Sequence, residues 1–409
     1  MTTPVRPGLI LLLVLVGLNL RPALSSLAPL LARVQAETGL SAAAIGALTT
    51  LPVLCLGLFA PLAPWLSRRI GIERTLSLAL LLLVVALALR ASASVWPLFA
   101  GTAMVGAAIG IAGTVLPVLV KRDLPRGADL MTGVYTMALC LGGALGAGLS
   151  IPLADWLGSW QRALASWSLL ALLALACWRL GVPHPIPDRV ARQQVKPGRG
   201  LLRSPLAWQV TLLMGSQSSL AYIVFGWLPM LLQRRGVGEA EAGVLLGASV
   251  FVQLFAALGA PWLARLGRDQ RPALVFLLLL IGIGFYCLLQ GPPVLRWPGV
   301  VALGLGQGGS FSLALTLLVL RSATPAVAGQ LSGMTQGIGY CLAALGPLGV
   351  GIMLQLQAPL TVIWVALTAV VALAIALALL AGRRLLLDVD EGGRIVTRSH
   401  TGRYKGPAG

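Results

Sequence analysis

An arginine interrupts the first apolar stretch of the chain. Arg21 lies in a run that opens near residue 8 and continues to Leu31. It stands about 13 residues in, roughly 20 Å along a helix at 1.5 Å per residue, and so near the middle of a bilayer. A charge at that depth costs at least about 2.5–3.5 kcal/mol on insertion scales. No acid is at hand to offset it. All twelve Asp and Glu fall in loops, in the tail or at the ends of apolar runs. A water-filled hollow that admits an anion would supply the missing charge, because a guanidinium fork suits carboxylate-like or nitro-like oxygens. The alternative is that Arg21 bonds backbone carbonyls freed by Pro22, which has no N–H and loosens the helix at that point.

Other polar side chains in the apolar runs are few. Ser25 lies one turn beyond Arg21 on the same face, and Asn19 two residues before it. Ser332, Gln336 and Tyr340 are spaced four apart and share a helix face, as do Thr132, Thr136 and Cys140, with Tyr135 beside them. Gln217, Tyr222, Gln253, Gln307 and Ser310 complete the set. These neutral donors would finish a site in which Arg21 supplies the charge; equally, each could bond a neighbouring helix, a common use of polar residues in bilayers. The substrate-site candidates are Arg21, Asn19, Ser25, Tyr135, Gln217, Tyr222, Gln253, Gln307, Gln336 and Tyr340. There is no Walker-type loop, no metal-ligand spacing among Cys55, Cys140, Cys177, Cys287 and Cys341, and no nucleophile–base pair. His184 and His400 lie outside the apolar runs. No enzyme activity, cofactor or metal is expected.

These residues are carried by membrane spans. Of 409 residues, 57% are apolar and only 10% charged, where a soluble surface needs about 25%. Apolar runs cover 8–32, 41–66, 74–92, 95–120, 128–153, 160–181, 206–232, 240–264, 272–290, 296–320, 327–354 and 358–382, and each must be a helix in lipid. The net charge of +18 does not point to nucleic acid, because the basic residues form short clusters between runs rather than one stripe. With the N-terminus inside, 23 Lys and Arg fall on the cytoplasmic side and six outside, which places both termini in the cytoplasm. The first run has no small-x-small cleavage pattern and reads as an uncleaved span.

Internal repetition divides the chain. Ala63-Pro64-Trp65-Leu66-Ser67-Arg68 recurs as Ala260-Pro261-Trp262-Leu263-Ala264-Arg265, Trp96-Pro97 as Trp297-Pro298, and Thr132-Gly133 as Ser332-Gly333. The expected fold is an all-α membrane protein of twelve helices in two pseudo-symmetric bundles, 1–181 and 206–382, joined by a basic linker, 182–205, and followed by a polar, mobile tail, 383–409. Parallel repeats of this kind leave a cavity between the halves near mid-bilayer. Gly106-x-x-x-Gly110, Gly142-x-x-x-Gly146, Gly304-x-x-x-Gly308 and Gly333-x-x-x-Gly337 permit close helix approach.

Two six-helix halves resemble the major facilitator superfamily. The loop Pro64-Trp65-Leu66-Ser67-Arg68-Arg69-Ile70-Gly71 is similar to its signature between helices 2 and 3: Arg69 and Gly71 fit, while Arg68 occupies the usual Asp position. The resemblance makes Arg68, Arg69 and Gly71, with Arg265 as their counterpart, candidate gating residues. Asn19-Leu20-Arg21-Pro22-Ala23-Leu24-Ser25-Ser26-Leu27-Ala28-Pro29-Leu30-Leu31 and Val115-Leu116-Pro117-Val118-Leu119-Val120-Lys121-Arg122 resemble the cyanate permease and 2-nitroimidazole transporter family. That implies a small solute, anionic or polar, moved across the bacterial inner membrane by alternating access without ATP. The partners expected are that solute and membrane lipid, with the chain acting as a monomer. Export of neutral drug-like compounds is the alternative, and a channel or membrane-embedded enzyme the weaker one.

Overall fold

Lipid offers no partner for backbone N–H and C=O groups, so an apolar run must close its hydrogen bonds within itself. A computed structural model describes residues 7–40, 42–92, 94–124, 127–181 and 198–399. Its helices are α1 (Pro7–Leu20), α2 (Pro22–Ser25), α3 (Leu31–Thr38), α4 (Ala42–Phe59), α5 (Leu62–Ile70), α6 (Ile72–Leu89), α7 (Val95–Asp123), α8 (Ala128–Leu157), α9 (Trp160–Gly181), α10 (Pro205–Gln233), α11 (Glu239–Leu266), α12 (Arg271–Leu289), α13 (Arg296–Leu320), α14 (Pro325–Ala343), α15 (Leu345–Gln355) and α16 (Leu360–Ala381). Among the described residues, ten helical stretches are long and apolar enough to cross a bilayer. The pair α4–α5, bent by 49°, makes an eleventh, and α10, with 29 residues, a twelfth of roughly 43 Å. Leu169, Leu172, Phe251, Phe255 and Leu373 face outward from the girth. Exposed Trp96, Trp156 and Trp297 mark one end, and Trp65, Trp208 and Trp262 the other, as interfacial belts do.

Three expected spans are broken rather than continuous. The first stops at Leu20 and resumes as the short α2, a 3-10 turn over Ala28–Leu30 and α3. The second bends between Phe59 and Leu62, where Pro61 precedes α5. The eleventh is divided at Ala344.

Packing repeats across the two halves. α4 and α6 pack on α7 as α11 and α12 pack on α13; α1 packs on α8 as α10 packs on α14; α6 meets α9 as α12 meets α16. The halves meet through α8 against α11 and α14 against α4 and α7. The glycine pairs read from the sequence sit at these approaches. A Cβ on Gly106 or Gly110 would collide with α4, and one on Gly304 or Gly308 with α11.

The contacts between halves gather toward the end that carries residues 198–204, the 267–270 turn and residues 385–399, here the linker side. There a Cβ on Gly133 of α8 would lie 2.9 Å from Pro261 of α11, and one on Gly333 of α14 would lie 2.9 Å from Pro64 of α5. Toward the opposite ends of α8, α10, α11 and α15, Gly148, Gly226, Gly243, Gly247 and Gly349 have open space where a Cβ would project.

The tail departs from expectation. Instead of a mobile polar segment, β1 (Leu385–Val389) and β2 (Ile395–Ser399) form an antiparallel hairpin, the one sheet among the described residues of an otherwise helical protein. It is fastened on both faces. Leu387 N–H donates to the Arg321 carbonyl at 2.8 Å and the Leu387 carbonyl accepts from Ala323 N–H at 2.9 Å, while Arg199 exchanges bonds with Gly393 and Ile395 at 2.8 and 2.9 Å. Leu387 is fully buried; that anchor, with Gly393 at φ +75° in the turn, outweighs the charge of the segment. Beneath it Arg321 donates to the Ala381 carbonyl and to Gln270 Oε1. Burial pushes Arg321 down to about 10 against the opposing pull of Asp269, so it stays charged at neutral pH. Residues 182–197 of the expected linker and 400–409 of the tail, with Arg6, His184 and His400, lie outside the described residues.

Candidate functional site

The break in the first span is built by sequence. Pro22 cannot donate to the Leu18 carbonyl, so the helix ends at Leu20 and Arg21 caps the next turn, its carbonyl accepting from Leu24 and Ser25 at 3.0 and 2.9 Å. α8 accommodates this irregular backbone because Gly142 abuts the Leu18 carbonyl and Pro22, and Gly146 abuts Pro22 and Ser25. The Arg21 stem runs past Gly143, where a Cβ would lie 3.4 Å from its Cδ. Its guanidinium is thereby carried into a cavity of about 40 Å³ between the halves.

That cavity is lined by Arg21 and Tyr135 from one half and by Tyr222, Phe311, Gln336 and Tyr340 from the other, with leucines and an isoleucine closing the remainder. Arg21 stands over the Phe311 ring at 4.7 Å and the Phe225 ring at 5.7 Å. Among the described residues its guanidinium makes no hydrogen bond or ion pair. The acids are engaged elsewhere: Glu37 with Trp160 and Gln161, Glu73 and Asp123 with Arg122, Asp129 with Arg265, Asp155 with Arg33, Glu241 with Arg296 and Asp269 with Arg271. Two ring faces offset part of a buried cation's cost, about 2 kcal/mol when desolvated, and leave its forked donors unused.

The other lining groups are aromatic or amide. Tyr222 and Tyr340 meet edge to face with centroids 6.3 Å apart. The Tyr135 side chain is buried beside Thr132. Gln336 donates to the Gly113 carbonyl at 2.9 Å and to Ser332 Oγ at 2.8 Å, which ties α14 to α7 at the cavity floor.

Five expected site residues lie away from this lining. Asn19 donates back to the Leu15 carbonyl at 2.8 Å, and Ser25 to Gly143 and Arg21 carbonyls at 2.8 and 3.1 Å. Gln253 donates to Gln307 Oε1, and Gln307 in turn to the Leu220 carbonyl, each at 3.3 Å. Gln217 is buried, accepting from Ser218 at 3.3 Å. For four of them the reason is shared: where water is scarce a polar side chain takes the nearest backbone or amide partner, whereas Gln217 keeps a buried Nε2 without one.

The gating candidates divide in the same way. Gly71 takes φ +90° between α5 and α6, a conformation that favours glycine. Arg68 and Arg69 are exposed, and Arg69 lies 4.3 Å over Trp65 of its own helix. Among the described residues Arg265 alone of the four makes a charged contact across the halves, gripping Asp129 with Nε and Nη2 at 2.7 and 2.8 Å.

Two features escaped sequence reasoning. Phe311 was hidden because aromatics in an apolar run carry no polar signal. Arg90, one of the six basic residues on the outside by sequence, is fully buried, with Nη1 donating to the Ala23 carbonyl at 2.7 Å and Nε and Nη2 unpaired. It thus holds the turn that follows Arg21. Its signal was a position inside the apolar run 74–92.

The relatives of this chain agree with that architecture. The family model described as Major Facilitator Superfamily matches residues 10–347. The 2-nitroimidazole transporter of Escherichia coli (strain K12) is 37% identical over 336 residues, 82% of this chain and 85% of the relative. The cyanate transport protein CynX of the same organism is 32% identical over 357 residues, 87% and 92% of the two chains. The uncharacterized transporter YycB of Bacillus subtilis (strain 168) is 38% identical over 83% of this chain and 84% of its own. Among solved structures, the proton:xylose symporter XylE superposes with a TM-score of 0.75 over 90% of this chain and 94% of that one at 15% identity, a likeness of fold. With twelve spans, a hollow between pseudo-symmetric halves and this family match, the chain belongs to the major facilitator superfamily, as a multi-pass membrane transporter of small solutes akin to the cyanate and 2-nitroimidazole transporters.

Proposed function

We propose that this transporter carries a small anionic or strongly polarised solute, of the cyanate or nitroimidazole class, across the bacterial inner membrane by rocker-switch alternating access. The observation that carries the reading is the unpaired Arg21 guanidinium in a cavity of about 40 Å³. A water needs about 10–15 Å³ on this measure, so the hollow suits a solute of a few heavy atoms. Its size weighs against bulky neutral drugs, the alternative cargo. The aromatic lining favours flat, polarisable solutes.

Both termini lie in the cytoplasm, and the chain functions as a monomer. The closed seam at Gly133–Pro261 and Gly333–Pro64, with the ion pair Asp129–Arg265, then supports an outward-facing state. Solute entering from outside neutralises Arg21, lowers the cost of sealing the cavity and lets the halves rock. A coupled proton would travel on the solute itself, because no carboxylate or histidine lines the cavity among the described residues.

The test is uptake of cyanate and 2-nitroimidazole into proteoliposomes. Arg21→Lys keeps the charge but not the fork and is expected to lower the rate at least about tenfold. Saturable counterflow is expected for a carrier; ohmic single-channel currents, or a wild-type rate in the variant, would count against this reading.

A further inference from the structure

A second cavity, of about 280 Å³, opens on the linker side between the Asp129 end of α8, the C-terminal end of α11 and the 267–270 turn. Its polar lining is Asp129, Arg265, Arg268, Gln270, Thr316 and Arg384. Three guanidinium groups against one carboxylate leave an excess of two positive charges. The carboxylate is already gripped by Arg265 through two bonds. Arg268 and Arg384 make no hydrogen bond or ion pair among the described residues. The acids nearest in sequence are engaged: Asp269 with Arg271 at 2.7 Å and Asp388 with Arg398 at 3.0 Å. Arg384 is held at this rim because the hairpin it precedes is fastened to the 321–323 loop.

We infer that this cavity is a binding site for a phosphate-bearing anion, with Arg268 and Arg384 as its principal ligands. A phosphate group matches the excess charge and presents oxygens to several forks at once. The volume leaves room for a small substituent such as a glycerol, close to the low end for ligand sites. A phospholipid headgroup and a soluble phosphate monoester share that chemistry. Asp129 belongs to one half of the protein, Arg265 and Arg268 to the other, and Arg384 to the tail hairpin fastened to that second half, so an occupant favours the conformation in which the linker side is shut. That consequence rests on the carrier reading above; the binding itself does not.

The experiment uses the full-length protein in an uncharged detergent. Glycerol 3-phosphate is titrated calorimetrically, and phosphatidylglycerol and phosphatidylcholine retention is read by native mass spectrometry. The double variant Arg268→Gln/Arg384→Gln is compared with wild type and with Arg162→Gln at the opposite end; both altered residues lack ion pairs, so folding is kept. At least one phosphate probe is expected to bind wild type and Arg162→Gln alike, and the double variant at least about tenfold more weakly, with binding of cyanate or 2-nitroimidazole at the Arg21 cavity unchanged. Retention of phosphatidylglycerol alone assigns the site to a membrane headgroup, and binding of glycerol 3-phosphate alone to a soluble ester. Equal binding by wild type and the double variant, or no binding of either probe at millimolar concentration, overturns the assignment.

Discussion

Pro261 presses its ring against Gly133, so that a Cβ on that glycine would come within 2.9 Å of the proline Cγ. The same contact recurs between Pro64 and Gly333 at the same distance. The Pro-Trp and Thr/Ser-Gly motifs repeated along the chain therefore meet in pairs across the seam, one from each half. The pair is not matched in charge. Arg265, the repeat counterpart of Arg68, holds Asp129, whereas the position corresponding to Asp129 in the second half falls at Gly329. Of these two repeat-related contacts, only the Gly133–Pro261 side carries an ion pair beside it, and the halves are expected to separate unequally.

Gly133→Val should force the first of these contacts apart. Overpacking at a tight approach costs about 1–3 kcal/mol, enough to shift a two-state population five-fold or more. The variant is expected to increase thiol labelling of a cysteine placed at Thr316 from the linker side, measured in inside-out vesicles. Unchanged labelling would show that the seam is not what keeps that side shut.

Asp129→Asn tests the ionic contact separately. It preserves shape but removes the charge that holds Arg265 through two donors. Because Arg265 is partly solvent-exposed, the effect should be smaller than the 3–5 kcal/mol of a fully buried pair. Distance measurements between spin labels on α8 and α11 should show a larger linker-side-open fraction, and adding Arg265→Gln should produce little further change. Additive effects would mean that each residue acts through a different partner.

Much of this was legible in the chain. Hydropathy located the spans because lipid leaves a backbone no choice but helix, and Pro22 marked the break that presents Arg21. The limits are physical too. Gln253 and Gln307 look like cavity residues when only their polarity is read, but which neighbour an amide meets depends on helix rotation. The hairpin at 385–399 was obscured by its charged composition, since a single buried residue, Leu387, and edge hydrogen bonds to Arg321 and Arg199 hold it. Phe311 gave no signal because ring stacking on a cation is a tertiary fact.

Phe311→Leu removes the nearer ring from Arg21 while keeping an apolar side chain of similar reach. Loss of a cation–π contact of about 0.5–2 kcal/mol frees the guanidinium to sample other rotamers. Solute affinity is expected to fall by about two- to thirty-fold, read by titration on purified protein, with Phe311→Tyr restoring most of it. Equal affinity in all three proteins would mean that the stem packing on Gly143 alone positions Arg21.

Arg90 makes the sharpest separation between stability and binding. It is fully buried with a single hydrogen bond, to Ala23 in the turn beyond Arg21, and two nitrogens unpaired. Replacing an under-satisfied buried ion by an apolar chain of similar length is often neutral or stabilising, although the Ala23 carbonyl is left without its partner, at about 1–3 kcal/mol. Arg90→Met should therefore keep the melting temperature of purified protein near that of wild type. Its affinity for solute should fall several-fold, because the turn that aims Arg21 has lost its anchor. Arg90→Lys, which can still reach a carbonyl with one donor, should bind more tightly than Arg90→Met. A lowered melting temperature with unchanged affinity in both variants would make Arg90 a packing residue and leave the aim of Arg21 to the glycines of α8.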